Sequence, residues 1–143
     1  MPQVIFYLLS SDAMTADLFA CRLADKAWHE GYSVHLQMDD SIASKQMDKL
    51  LWSWREDSFL PHAILSEDSA HQKAAPITIG HDAQPDEQTS GMLINMATTL
   101  PRFYHQFQRI CEIVTQDANS TELSRKKFRM YQQAGIKPKT YKM

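Results

Sequence analysis

The stretch from Gln3 to Leu9 is apolar without a break from Val4 onward, rich in β-formers, and ends at the polar Ser10-Ser-Asp12. A half-exposed strand alternates polar with apolar residues, so a run with no polar face has to be covered on both sides. It predicts a central strand of a parallel sheet. From Met14 the apolar residues Leu18, Cys21, Leu23, Ala24, Ala27 and Trp28 recur at helical spacing, and Gly31 supplies a stop. Tyr32 to Leu36 reads as a second strand, and Asp39-Asp40-Ser41 as the cap of a helix running towards Trp52. Strand, helix, strand, helix in this order implies a parallel sheet with crossovers.

Pro61 interrupts the segment that follows, Pro76 to Ile79 looks like a short strand, and His81 to Gly91 is a polar loop. Met92 to Met96 and Arg109 to Thr115 predict two more strands. Asn119-Ser120 offers a cap for a last helix through Ala134, with Gly135 in the C′ position. The whole reads as one three-layer α/β domain over residues 1–143, a mostly parallel sheet with helices on both faces and a basic C-terminal helix at about 119–134. Neither a repeat nor a dividing linker appears, although Ser66 to Ala75 is a polar loop. A chain of 143 residues, 43% hydrophobic and 22% charged, suits one folded domain that needs no disulfide or metal staple.

No apolar run is long enough to cross a bilayer, and the N-terminus lacks a basic segment followed by a long apolar one. A cytoplasmic location is expected, with no membrane partner, and with Cys21 and Cys111 as reduced thiols.

Several chemistries lack their usual residues. A phosphate-binding strand-to-helix turn needs glycines so that backbone amides can approach the phosphate, and Ser10-Ser-Asp-Ala-Met14 has none. The histidines His29, His35, His62, His71, His81 and His105 are scattered, without zinc-site spacing, and no G-x-S-x-G is present. No catalytic residue, metal site or cofactor is predicted. An enzyme alternative would have to assemble its site at the strand ends, for example from Asp12, Asp39 and Asp40, whose simpler role is to end strands and cap helices.

Two segments carry more positive signals. Residues 119–143 hold seven Lys or Arg against the single acid Glu122, so an overall charge of -2 conceals a basic end on an acidic body. Arg125, Phe128 and Arg129 stand at i, i+3 and i+4 and share one helical face. An aromatic between two arginines suits an acidic peptide ending in a hydrophobic residue. The residues alone leave this balanced against a helix whose Phe128 and Tyr131 are core contacts. Direct nucleic-acid binding is the other option, and the acidic body opposes it. The second segment, Leu50 to His62, gathers Trp52, Trp54 and Phe59, either as core or as an exposed aromatic patch for a protein partner.

Taken together, Phe6-Tyr-Leu-Leu9, Leu23-Ala-x-Lys-Ala-Trp28 followed by Gly31, Asp48-x-x-Leu-Trp52, Ser58-Phe-x-Pro-His62, Ala75-Pro76 and Phe128-Arg-x-Tyr-x-x-Ala-Gly135 resemble the chi subunit of bacterial DNA polymerase III holoenzyme in order and spacing. The resemblance implies a non-enzymatic, Rossmann-like adaptor in DNA replication. Such a subunit pairs with the psi subunit and links the clamp loader to single-stranded-DNA-binding protein, meeting DNA only indirectly. It places the site for that protein's acidic, phenylalanine-terminated tail at Val114, Thr121, Arg125, Phe128 and Arg129. The family commonly carries a lysine at the position of Thr121 and a tyrosine at that of Phe128, which leaves Lys126 or Lys127 to restore the charge. The psi-facing surface would include Phe59, Pro61 and His62, with Trp52 as buried support.

Overall fold

The computed structural model describes residues 2–10, 15–55, 60–65, 75–86 and 89–143. Asp12 and Phe59 lie outside the described residues, as does the predicted polar loop up to residue 74.

The first apolar run forms strand β1 (Gln3–Leu8), and the helical pattern after it forms α1 (Ala16–His29). Thr15 caps α1 by accepting from the Leu18 amide, while Gly31, at φ +92°, ends it. There the amide of Tyr32 reaches back to Ala27 and that of Gly31 to Trp28, which satisfies the last carbonyls. β2 (Val34–Gln37) follows, then α2 (Ser41–Ser53), capped by Asp40 on the Ala43 amide at 2.8 Å. β4 (Ile77–Gly80), β5 (Met92–Asn95) and β6 (Arg109–Val114) match the remaining predicted strands to within two residues. Two strands escaped prediction: β3 (His62–Ile64), a three-residue strand directly after Pro61, and β7 (Lys139–Lys142), which is exposed along its length.

The last helix, α3 (Ala118–Gln133), begins slightly earlier than its predicted cap. Asp117 is the cap, accepting from the Ser120 amide at 2.9 Å, because the Ser120 hydroxyl is taken by the Thr115 amide at 3.0 Å. The Thr115 hydroxyl also donates to Asp117, and these bonds hold its carboxyl below the usual range. Gly135, at φ +86°, ends the helix as predicted, with the Ile136 amide on Tyr131 and the Gly135 amide on Gln132.

The strands form one sheet in the order β3-β4-β2-β5-β6-β1-β7, and every pair is parallel. β1 runs beside β6 from Gln3 opposite Arg109 to Leu8 opposite Val114, with β7 on its other side from Ile5 opposite Lys139 to Leu8 opposite Lys142. Helices α1 and α2 cover one face, over Val34, Leu36, Ile77, Ile79 and Ile94. Helix α3 and the segment around a short turn at Tyr104–Gln106 cover the other, over Val4, Phe6, Leu93, Ile110 and Val114. This is the three-layer arrangement of a Rossmann-like α/β fold. The chain leaves β1 on the α1 face and leaves β6 on the α3 face, so the C-terminal ends of these neighbours form a topological switch point, where such sheets open a crevice.

Candidate functional site

Alternation along the strands puts polar residues on the α3 face, and they anchor the helix. Glu112, 2% exposed in the middle of β6, accepts from Lys127 at 3.0 Å, from the Tyr131 hydroxyl at 2.7 Å and from Asn95 at 2.9 Å. Lys127 also donates to the Ala97 carbonyl at 2.6 Å. Burial raises the Glu112 pKa against the pull of Lys127 and these donors, and burial beside Glu112 raises that of Tyr131. A second buried cluster surrounds His35. Gln37 donates through its amide nitrogen to the His81 carbonyl, which turns Oε1 towards His35 Nε2 at 2.9 Å, while Thr78 meets Nδ1 at 2.7 Å. One ring nitrogen donates and the other accepts, as in neutral imidazole, and burial lowers this histidine to about 4.

With Lys127 and Tyr131 turned inward, α3 presents Thr121, Arg125, Phe128 and Arg129 towards the outer strands of the sheet. A groove of about 430 Å³ opens between helix and sheet, floored by Phe6, Leu8 and Val114 and closed on the β7 side by Thr140. Phe128 is half-buried, its ring centroid 5.2 Å from that of Phe6. Arg125 and Arg129 are exposed and pair with no carboxylate among the described residues. The structure thus brings Val114, Thr121, Arg125, Phe128 and Arg129 together around one cavity. The balance between docking face and core helix resolves by division: Tyr131 is fully buried, whereas Phe128 stays half open. Lys127 cannot supply charge to the groove, because Glu112 and Ala97 hold it on the opposite side of the helix.

The other predicted surface is arranged differently from expectation. Trp52 is 58% exposed rather than buried, since its position on α2 faces away from the sheet. Its ring stands edge-on to His62, with centroids 4.9 Å apart. The His62 side chain is only 1% exposed: Nδ1 donates to the Leu60 carbonyl at 2.6 Å, and Nε2 stands 3.1 Å from the Asp48 carboxylate without an aligned hydrogen bond. His62 is therefore the support and Trp52 the surface. Pro61 is half-buried.

At the strand ends, Asp39 accepts from the amide and hydroxyl of Thr98 at 2.8 and 3.0 Å, and Asp40 caps α2. Both acids are occupied locally. Cys21 and Cys111 are buried free thiols, each pushed up to about 12 chiefly by burial. Among the described residues no three His, Cys, Asp or Glu side chains gather as a metal site, and no helix is long and apolar enough to cross a membrane.

The family model described as DNA polymerase III chi subunit, HolC, matches residues 1–139. The DNA polymerase III subunit chi of Pseudomonas aeruginosa is 35% identical over 136 residues, which span 94% of this chain and 92% of that protein. The subunit chi of Haemophilus influenzae is 28% identical, over 91% of this chain and 90% of its own. That of Escherichia coli is 26% identical, over 95% of each.

Proposed function

This chain belongs to the DNA polymerase III chi subunit family, and we propose that it acts there as a non-catalytic cytoplasmic adaptor, holding the acidic tail of single-stranded-DNA-binding protein in the α3 groove and pairing with the psi subunit through the α2–β3 corner. The observation that carries the tail reading is the groove's composition: an apolar floor of Phe6, Leu8 and Val114 under two arginines that no acidic side chain neutralises among the described residues. An apolar terminal side chain seats on such a floor, and its carboxylate and acidic neighbours meet guanidinium forks. A long nucleic-acid backbone would meet a body whose carboxylates outnumber its cations.

Calorimetry with the acidic C-terminal peptide of the cognate binding protein tests this reading. The peptide should bind, more weakly as salt rises. Arg125→Ala should cost roughly 1.5–3 kcal/mol, about tenfold to a hundredfold in affinity, with the fold intact. Binding of bare single-stranded DNA with no response to the peptide would replace the reading with direct nucleic-acid recognition.

For psi, the support is the exposed Trp52 beside Pro61 and His62, with Phe59 of the same sequence segment outside the described residues. Co-purification of psi with the intact chain but not with Trp52→Ala is the expected result. Full retention by that variant moves the psi surface elsewhere.

A further inference from the structure

The groove does not end at Thr121. A second chamber of about 400 Å³ continues from it at the C-terminal ends of β1, β6 and β7, sharing Leu8, Val114 and Thr121 with the first and adding Gln116 and Lys142. It occupies the switch point where the chain leaves β1 and β6 on opposite faces. Its cation comes from β7, the strand absent from the sequence-based reading.

Strand geometry fixes the direction of that cation. Thr140 lines the first chamber, Tyr141 stacks on Tyr7 on the opposite face at 6.1 Å, and Lys142 returns to the groove side. In register, Val114, Leu8 and Lys142 form one row across three strands, so Lys142 ends the row whose other members are the apolar floor. The remaining lysines nearby are directed elsewhere. Lys127 is buried on Glu112, Lys126 lies on the outer side of α3 with Glu122 at 4.0 Å, and Lys139 shares the face of Tyr141. Lys142 itself makes no ion pair among the described residues.

We infer that Lys142 is the third cation of the groove, and that the second chamber holds the acidic residues preceding the peptide's apolar end. The inference rests on the peptide reading above and gives the bound peptide a direction. Its apolar terminus lies between Phe128 and the two arginines, and its upstream carboxylates lie over Leu8 and Val114 towards Lys142. Thr121 stands at the junction of the chambers, so a lysine there would reach the same carboxylates from the helix side.

The test is fluorescence anisotropy with a labelled peptide of several aspartates followed by a C-terminal phenylalanine, beside a second peptide with serines in place of the aspartates. Lys142→Ala should weaken the aspartate peptide about three- to fivefold and Lys142→Glu about tenfold or more, as expected for a partly exposed charge contact. The serine peptide should bind more weakly and respond little to either change. Thr121→Lys should restore the affinity that Lys142→Ala loses. Lys142 is exposed on the edge strand β7, so these variants fold. If the peptide binds and Arg125→Ala weakens it about tenfold or more while both Lys142 variants match the original chain, this inference falls and the peptide reading stands. Equal losses for both peptides would also overturn it, because Lys142 would then act on the terminus. A chain that ignores both peptides overturns the reading on which the inference rests.

Discussion

Towards α1 and α2, the sheet presents Val34, Leu36, Ile77, Ile79, Met92, Ile94 and Cys111, all buried and all apolar. Towards α3, the same strands present His35, Gln37, Thr78, Asn95 and Glu112, also buried, interspersed with Leu93 and Ile110. Apolar contact is non-directional, and it tolerates small shifts of a helix over a sheet. A buried carboxylate that accepts from Lys127, Tyr131 and Asn95 is directional, and shifting or rotating α3 would break bonds that water cannot replace. The two faces divide the labour. One face supplies burial, and the other fixes how α3 sits, which decides where Arg125, Phe128 and Arg129 point.

Disrupting the polar face should cost the most. Glu112→Ala leaves the Lys127 ammonium buried without its partner and should cost about 3–5 kcal/mol in urea unfolding. Replacing Glu112, Lys127 and Tyr131 together with Leu, Met and Phe should recover most of that loss, since the acceptor leaves with two of its three donors and the third, Asn95, keeps its bond to the Thr99 carbonyl. On the apolar face, Leu36→Ala should cost about 2–5 kcal/mol by opening a cavity, yet leave the affinity of the folded fraction for the peptide unchanged. Should Glu112→Ala cost under about 1 kcal/mol, the network is not what anchors α3.

Next comes pH. In the folded chain His35 is lowered to about 4, whereas unfolded histidine titrates near its ordinary 6.5. Above pH 6.5 both states are neutral and the full stability is present. As pH falls from 6.5 to 4 the unfolded state takes up a proton that the folded state refuses, and about 3 kcal/mol is lost. Glu112 acts in the opposite sense, because its raised pKa favours the folded state as pH falls. The histidine contribution is therefore read as a difference: His35→Gln should flatten the fall in urea midpoint between pH 7 and 4.5, and an unchanged slope would remove His35 from the account. A smaller effect is expected at the groove. Phe128→Ala removes the ring that packs on Phe6 and should weaken the peptide about tenfold, near 1.4 kcal/mol.

Much of this division was legible beforehand, for physical reasons. β1 announced itself by an apolar run that had to be covered twice, α1 by apolar spacing with a glycine stop, and α2 by the acids that cap it. The five groove residues were grouped from a family pattern, and Arg125, Phe128 and Arg129 also by helical spacing. The buried lysine was not legible from composition, because a Lys within a run of Arg and Lys reads as solvated. Two signals pointed to it. Glu112 interrupts the apolar Ile110 to Val114 and needs a partner once buried, and Leu123, Lys127 and Tyr131 recur at i, i+4 and i+8 on one stripe of α3. β7 left no signal of its own, since Lys-Thr-Tyr-Lys at an exposed sheet edge has no apolar alternation.

A change on neither buried face should cost the least. Trp52 stands on the solvent side of α2, with its ring against His62, whose own ring is fixed by Leu60 and set close to Asp48. Truncating an exposed side chain removes little burial, so Trp52→Ala should change unfolding free energy by less than about 0.5 kcal/mol. Peptide affinity should stay the same, since the groove and this corner lie on opposite faces of the sheet. His62→Ala should behave otherwise, because it removes a buried ring and leaves the Leu60 carbonyl and Asp48 without their contact, costing about 1–3 kcal/mol. Equal costs for the two variants would mean that Trp52 is packed into the fold, and the corner would lose its claim to be a second docking surface.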